Sequence, residues 1–310
     1  YASTSRAAAE VLKMPWERVD IITGRTDLHL PITSPQDGSN SIFTNTRAFY
    51  GAAQDMLAKI KEIAANDLGG TADEYDISNE RVHQIADESV GMTFAEVASR
   101  AIQLGGKYTG SADLPEELAE WTQISVSRLA GTGFMGVFHD SIHEGNPPGF
   151  TVSCIEIELD KETGKYEILD LINVAESGTI MHPKGMENQL VGGAVWGIGL
   201  SGYERHLYDP QNGMPASTGY WQSKVPTYLD TPVKIGTGWV DLPDPENPVG
   251  ARGVGEPAQG SVSAALTAAI TDALDGHIFG ASPITADMII NHVAGTSEDS
   301  VPLAQNNFRG

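Results

Sequence analysis

The sequence is most distinctive at Pro248-Val-Gly-Ala-Arg-Gly-Val-Gly-Glu-Pro-Ala-Gln-Gly260, which runs directly into an alanine-rich helical pattern from Gln259 to Leu274. Glycine permits backbone angles and close backbone approaches that other residues do not. Free N–H groups at the start of the following helix favour an anionic group, and Glu256 lies at that junction. A carboxylate held there suits a general base. A turn whose glutamate only caps the helix explains the same pattern and stays open.

A second glycine-rich stretch is Gly185-Met-Glu-Asn-Gln-Leu-Val-Gly-Gly-Ala-Val-Trp-Gly-Ile-Gly199, in which apolar residues recur at helical spacing. Each glycine inside a helix costs about 1 kcal/mol relative to alanine. These glycines therefore indicate either tight helix packing or a ligand against the backbone, and both alternatives remain open. Gln189 can donate and accept hydrogen bonds, as a heteroaromatic or pterin-like ligand would require.

A third candidate is the polar loop Asp37-Gly-Ser-Asn-Ser41, which precedes a helical pattern from Phe43 to Ala65. Its N–H groups and hydroxyls could hold a phosphate at the helix start. A simple N-cap by Ser39 or Ser41 accounts for the loop almost as well.

The rest of the sequence contains both helical and strand patterns. The segments Phe150–Leu159 and Tyr166–Val174 alternate apolar and polar residues around a turn, which predicts a β-hairpin. Thr93 and Glu96 predict a capping box at a helix start, and residues 19–22 predict a short strand. Helices and strands alternate irregularly, so the predicted fold class is α+β, layered, with β-hairpins and packed helices.

Composition excludes several functions. Of 310 residues, 40% are hydrophobic, which excludes a disordered chain. The 19 Lys and Arg against 41 Asp and Glu give a net charge of -22, which disfavours binding to nucleic acid and to anionic membrane surfaces. No apolar run is long enough to span a membrane. We expect a cytoplasmic location, where such acidity serves solubility or an acidic docking face.

Isolated residues of chemical interest have simpler interpretations. The single cysteine, Cys154, excludes an internal disulfide framework and an all-cysteine metal site, and its strand position predicts a core residue. His139 and His143 stand four apart like metal ligands, but the Asn-Pro-Pro-Gly at 146–149 favours a polar loop. Trp196 and Trp221 are expected in the core or at an interface.

Taken together, these stretches resemble the C-terminal half of the molybdenum-binding subunit of the xanthine dehydrogenase and aldehyde oxidase family, the molybdenum hydroxylases. The similarity extends from about Ser3 to Val293. The motifs that carry it, in chain order, are the Gly-Ser-x-Ser loop from Gly38, the hairpin ending near Glu176-Ser-Gly178, Asn188-Gln-Leu-Val-Gly-Gly193 and Gly253-Val-Gly-Glu-Pro257.

The resemblance implies a role for each matching residue. Glu256 would be the general base at the molybdenum site, in oxidative hydroxylation of an aldehyde or N-heteroaromatic with water as the oxygen donor. The metal would be held by the pterin rather than by protein ligands. The implied cofactor contacts are Val254 and Gly255 beside the pterin and metal, Gln189 on the pterin, and Gly38, Ser39, Asn40, Ser41 and Ile42 around the pterin and its phosphate. Ile42 departs from the family pattern and offers only its backbone.

The resemblance also implies an organisation and partners. We expect a molybdopterin-binding domain over residues 1–294, with two sub-lobes that meet at about 107–150, and a polar tail over 295–310. The cofactor would be molybdenum with molybdopterin, in the cytosine dinucleotide form if the source is bacterial. The chain begins at Tyr1 inside a helical pattern, so we expect it to act with the N-terminal half of the subunit. The [2Fe–2S] centres and FAD are expected on partner iron–sulfur and flavin chains.

Two other classes of function remain open. One is a structural or assembly subunit that keeps the fold without turnover. The other is a phosphate-ligand binding module that uses the loop from Gly38 to Ser41 and needs no molybdenum.

Overall fold

The computed structural model describes residues 2–31, 36–111, 120–138, 149–209 and 211–296. The chain divides into two compact units, Tyr1–Pro147 with Pro243–Arg252 and Pro148–Leu242 with Gly253–Gly310. A short segment late in the sequence thus returns to the first unit before the chain continues in the second. His139, His143 and most of the expected polar tail lie outside the described residues.

The first unit combines helices with a small antiparallel sheet of order β1-β2-β3. Its elements are α1 (Arg6–Val11), α2 (Ser41–Leu68), β1 (Tyr75–Ser78), β2 (Arg81–Gln84), β3 (Gly91–Thr93), α3 (Phe94–Leu104) and α4 (Glu120–Leu129). Between β1 and β2, Asn79 and Glu80 both have positive φ (48° and 58°), the geometry that matches the twist of a two-residue hairpin.

Local sequence signals explain where these helices begin and what they bury. The predicted capping box at α3 is confirmed, with Glu96 N donating to Thr93 Oγ1 (3.2 Å) and Thr93 N donating to Glu96 Oε2 (2.7 Å). The core forms where α2 and α3 pack on the sheet. It contains Ile60, Ile63, Ala64, Tyr75, Ile77, Val82, Val97, Ala101 and Tyr108.

The returning segment 243–252 is attached to the start of α2 by one buried side chain. Asn247 Nδ2 donates to Phe43 O (2.8 Å) and to Thr46 Oγ1 (3.1 Å). Asn247 Oδ1 accepts from the backbone N–H groups of Val249 (3.0 Å) and Ala251 (3.2 Å). The backbone immediately before Gly253 is therefore held in a defined conformation.

The second unit is a three-stranded sheet of order β4-β5-β6 with helices packed against one face. Its elements are β4 (Phe150–Asp160), β5 (Lys165–Glu176), α5 (Pro183–Ile198), a π-helical turn (Gly199–Tyr203), α6 (Tyr220–Ser223), β6 (Ile235–Val240), α7 (Pro257–Ala273) and α8 (Ala286–Val293). The predicted hairpin is confirmed as β4 and β5, which pair antiparallel, while β5 and β6 pair parallel.

Apolar side chains of β5, α5 and α7 meet in the core of this unit. Leu171, Ile198, Leu266 and Ile270 are fully buried there. The α+β fold class is thus confirmed. No helix among the described residues is long and apolar enough to cross a membrane.

Three interpretations of individual segments are wrong or incomplete. Residues 19–22 form no strand, and Ile22 is 61% exposed, because β-propensity without a paired neighbour does not make a strand. Cys154 is exposed rather than buried, because the inward positions of β4 are taken by Ile155 and Ile157. Trp221 is 92% exposed and so lies outside the core.

Candidate functional site

Glu256 is the N-cap residue of α7, and Pro257 occupies the first helical position. Proline suits that position because its missing N–H would have had no helical partner. The side chain of Glu256 makes no capping hydrogen bond to α7, so the interpretation of a mere helix cap is wrong. The residue is partly buried at the N-terminus of α7, the end of a helix that stabilises negative charge.

The start of α7 packs directly on α5, and glycine makes this approach possible. A Cβ added at Gly193 would lie 2.6 Å from Ala258 Cβ and 3.1 Å from Gly255 O. At Gly197 it would lie 2.6 Å from Gln259 O. The sequence left two alternatives open for the glycines of α5, tight helix packing or a ligand against the backbone. For Gly193 and Gly197 the structure favours tight helix packing.

Val254 adds an apolar contact to the same junction. It packs with Met186 and Leu190 of α5 and with Ala258 of α7. The predicted residues Val254, Gly255 and Glu256 are therefore brought against the helix that carries Gln189. Gln189 itself lies on the exposed side of α5.

A chain of polar side chains, which the sequence analysis missed, connects the strands to both helices. Buried Asn173 of β5 donates through Nδ2 to Leu190 O of α5 (3.1 Å) and accepts at Oδ1 from Ser153 Oγ of β4 (3.1 Å). Ser153 Oγ is also 2.7 Å from Ser261 Oγ of α7.

A separate hydrogen bond lies directly beside Glu256 in the chain. Thr151 Oγ1 of β4 donates to Pro257 O (3.0 Å). Four elements thus fix the position of the turn.

Gly192 has a different environment from Gly193. It is exposed, and a Cβ there would meet no described atom within 4 Å. The same holds for Gly260 on α7. Packing among the described residues does not explain either glycine, so both positions leave room for a ligand or another polypeptide to approach the helices.

The predicted phosphate loop lies in the first unit and opens α2. Gly38 and Ser39 both have positive φ (54° and 59°). Asn40 N donates to Asp37 O (3.0 Å), and Ser41 Oγ donates to Gln36 Oε1. Asn40 is the N-cap but makes no capping hydrogen bond, and the first turn has no acidic residue. The start of α2 is therefore not capped by Ser39 or Ser41. Ile42 lies in the first turn of α2.

Each unit has one buried amide oxygen beside its predicted residues that could accept a hydrogen bond from a ligand. Among the described residues, Asn40 Oδ1 and Gln259 Oε1 are buried without a hydrogen-bond partner. Such atoms cost free energy unless a donor reaches them. The ring and amino N–H groups of a pterin nucleotide are donors of this kind. The sequence analysis missed Gln259, although it lies three residues after Glu256.

A cavity of about 420 Å³ in the first unit is separate from the predicted residues. Arg47, Tyr50 and Gln54 of α2 line it together with Glu246. Among the described residues, no cluster of three or more His, Cys, Asp or Glu side chains could hold a metal ion.

Comparison with known proteins identifies the class of this protein. The molybdopterin cofactor-binding domain family matches residues 1–232, and the chain belongs to that family. The resemblance to molybdenum-binding subunits of the xanthine dehydrogenase and aldehyde oxidase type is thereby confirmed.

The individual relatives are distant but cover nearly all of the chain. The gamma subunit of the 6-hydroxypseudooxynicotine dehydrogenase complex of Paenarthrobacter nicotinovorans is 26% identical over 95% of this chain and 34% of its own length. The aldehyde oxidoreductase molybdenum-binding subunit of Escherichia coli is 25% identical over 94% and 35%. The structure of quinoline 2-oxidoreductase from Pseudomonas putida 86 is 26% identical over 96% and 35%, with a TM-score of 0.71. The chain therefore spans about a third of these relatives.

Proposed function

We propose that this chain is the C-terminal, cofactor-binding part of the molybdenum-binding subunit of a molybdenum hydroxylase, with Glu256 as its general base. The observation that carries the proposal is the position of Glu256. It lies at the start of α7, is not used as a cap, and is held against α5 through Gly193 and Val254. A carboxylate carried on a backbone fixed in this way is suited to accept a proton at a constant position.

Other residues would hold the cofactor. We assign Gln189, Val254 and Gly255 to the pterin side of the site. The N–H groups of the Gly38–Ile42 loop would bind the phosphate. The buried oxygens of Asn40 and Gln259 support a ligand that brings N–H donors. When bound, molybdenum with molybdopterin would supply two-electron oxidation of a substrate that takes its oxygen from water.

The relatives support a proposal for the substrate class. One relative is an aldehyde oxidoreductase and one is a quinoline oxidoreductase. We propose an aldehyde or an N-heteroaromatic as the substrate. The N-terminal half of the subunit, an iron–sulfur subunit and a flavin subunit would be partners, and a cytosine dinucleotide form of the cofactor is expected from a bacterial source.

Glu256→Gln in the natively purified complex tests this role. Loss of the proton acceptor should lower kcat by about 100-fold or more, while molybdenum and pterin content per chain stay unchanged. Glu187→Gln, an exposed carboxylate on α5, is the matched control and should retain full turnover.

The two alternatives make different predictions. Turnover that survives Glu256→Gln with full cofactor content would refute the general-base role. A structural subunit predicts no change in the complex's activity from either variant. A phosphate-binding module predicts that the purified protein contains no molybdenum and no releasable pterin, and that it binds inorganic phosphate at the loop from Gly38.

A further inference from the structure

The segment 220–233 of the second unit has an unusual surface. Its bulky apolar side chains are almost completely exposed, which is rare for a protein surface unless another molecule covers it. These side chains are Tyr220 (86% exposed), Trp221 (92%), Tyr228 (99%), Leu229 (97%) and Val233 (fully exposed). We call them the 220–233 surface.

This segment has a defined backbone, centred on Asp230. Asp230 Oδ2 accepts from Thr227 N (2.8 Å), Thr227 Oγ1 (2.7 Å) and Lys224 Nζ (2.8 Å). Burial raises the pKa of Asp230, but the hydrogen bonds from Lys224 and Thr227 together lower it by more than burial raises it. The pKa is therefore below its ordinary value, and the carboxylate stays charged at neutral pH. The apolar side chains are therefore presented from an ordered scaffold.

Two contacts fix this scaffold to the end of α5. Lys224 Nζ lies 4.7 Å from the centre of the Tyr203 ring, in the π-helical turn. A Cβ at Gly199 would lie 3.1 Å from Pro226 Cδ, so glycine allows the segment to pack there. A surface that is ordered in advance loses little conformational entropy on binding.

The charge of the segment indicates what kind of partner fits. Its two charged residues, Lys224 and Asp230, pair with each other, so the 220–233 surface is neutral. Nucleic acid and anionic lipid would find no excess of positive charge within the segment. A second copy of the chain would bring another charge of -22, and the two copies would repel each other. An apolar polypeptide surface fits best, because Tyr and Trp are the residues that dominate protein–protein binding energy.

Coverage of the relatives identifies a source for that polypeptide. This chain spans 34% and 35% of the two curated relatives, which carry additional polypeptide in the same subunit. We infer that the 220–233 surface docks against the part of the molybdenum-binding subunit that this chain does not include. The inference rests on the proposed function, because it names the partner that would complete the site.

Site-specific photocrosslinking in the natively assembled protein tests this. Trp221 is replaced by p-benzoylphenylalanine, and the same residue is placed at Ile278, which is 76% exposed in the same unit and outside the surface. We expect position 221 to crosslink to the remaining part of the molybdenum-binding subunit at least about tenfold more efficiently than position 278, with the linked peptides mapped by mass spectrometry.

Other results overturn the inference. One such result is a crosslink from position 221 to a second copy of the chain, to an iron–sulfur subunit or to a flavin subunit. The other is a crosslinking yield at position 221 no higher than at position 278. Molybdenum content and turnover are measured on the same samples. Turnover without the expected crosslink refutes the docking surface alone, whereas the crosslink without molybdenum refutes the proposed function alone.

A second measurement avoids the unnatural residue. Because Trp221 and Tyr228 support no core, Trp221→Ser with Tyr228→Ser should leave the circular dichroism of the protein unchanged. We expect the pair to make limited proteolysis between the two parts of the subunit at least about tenfold faster, while Ile278→Ser does not. Equal cleavage rates in all three proteins would contradict the docking role.

Discussion

Two regions of this protein look alike in sequence, since both place glycine and polar residues just before a long helix. The loop 36–42 opens α2, and the turn 253–256 opens α7. In the loop, Gly38 is exposed and has a φ of 54°, and a Cβ there would meet no described atom within 4 Å. At the turn, Gly255 O lies against Gly193 of α5, and Val254 packs in an apolar cluster.

The difference shows that glycine serves two physical purposes here. In the loop it supplies a left-handed backbone conformation that other residues adopt at a cost. At the junction of α5 and α7 it supplies space, because two helices approach where a side chain would not fit. The loop is thus specified locally, whereas the turn is specified by tertiary packing. Substitutions should separate these two causes.

Gly193→Ala should have the largest effect on stability. Its methyl group would overlap Ala258 Cβ and Gly255 O, which belong to a helix start that cannot move without disturbing Glu256. We expect the free energy of unfolding to fall by about 3 kcal/mol and cofactor content to fall with it, measured by denaturant unfolding and molybdenum analysis.

The neighbouring glycine provides the control for that experiment. Gly192→Ala adds the same methyl group where no described atom is within 4 Å. It should raise the free energy of unfolding by about 0.5–1 kcal/mol, as alanine does inside a helix. Equal destabilisation by both variants would mean that helix packing does not distinguish the two glycines.

Asn173→Ala should have the next largest effect. It removes the buried donor to Leu190 O and the partly buried acceptor for Ser153. We expect a loss of about 2 kcal/mol in the free energy of unfolding. If the polar chain positions the turn, kcat should also fall in the assembled enzyme while substrate KM changes little.

Two serines on α7 sharpen this second prediction. Ser261→Ala removes the 2.7 Å contact with Ser153 and should cost about 1 kcal/mol. Ser263→Ala, on the same helix but outside the polar chain, should change stability by less than about 0.5 kcal/mol. A reversed order of these two variants would argue against the polar chain as a stabilising element.

The loop should respond with the smallest changes, and with opposite signs at adjacent positions. Gly38→Ala places a side chain at positive φ and should lower stability by about 1 kcal/mol. Ser39→Gly relieves a non-glycine residue at a φ of 59° and should raise stability by roughly 0.5 kcal/mol. Thermal unfolding of both variants measures this, and equal signs would show that backbone conformation is not the cause.

Ser39→Gly also tests the function of the loop. If the Ser39 side chain or the strained backbone serves phosphate binding, the stabilised variant should release cofactor more readily during dialysis. Retention of cofactor at the level of the unchanged protein would limit the role of Ser39 to structure.

Several elements could be predicted from the sequence because their signals are local. The helix pattern after Ser41, the capping box of Thr93 and Glu96, and the hairpin around residues 160–165 all depend on neighbours within a few positions. The Gly-Val-Gly-Glu-Pro segment, in combination with the upstream Asn-Gln-Leu-Val-Gly-Gly segment, likewise pointed to the family whose model matches residues 1–232.

Other features could not be read in this way. Strand β6 has Gly236 and Gly238 in its middle, which weaken its strand signal, and its parallel pairing with β5 far earlier in the chain is not visible in the local sequence. The exposure of Cys154 depends on which face of β4 meets α7. The return of residues 243–252 to the first unit depends on Asn247 reaching α2.

The sequence by itself determined the α+β class, the main helices, the hairpin and the family, because each follows from periodicity, capping or a contiguous motif. Tertiary structure alone decided why Gly193 and Gly197 are glycines and that the 220–233 surface is exposed. It also decided that Asn173 and Ser261 join the strands to α7, and that Gln259 has a buried acceptor. The physical reason is that space, burial and hydrogen-bond partners are properties of atoms distant in the chain, and a linear pattern does not record which of them meet.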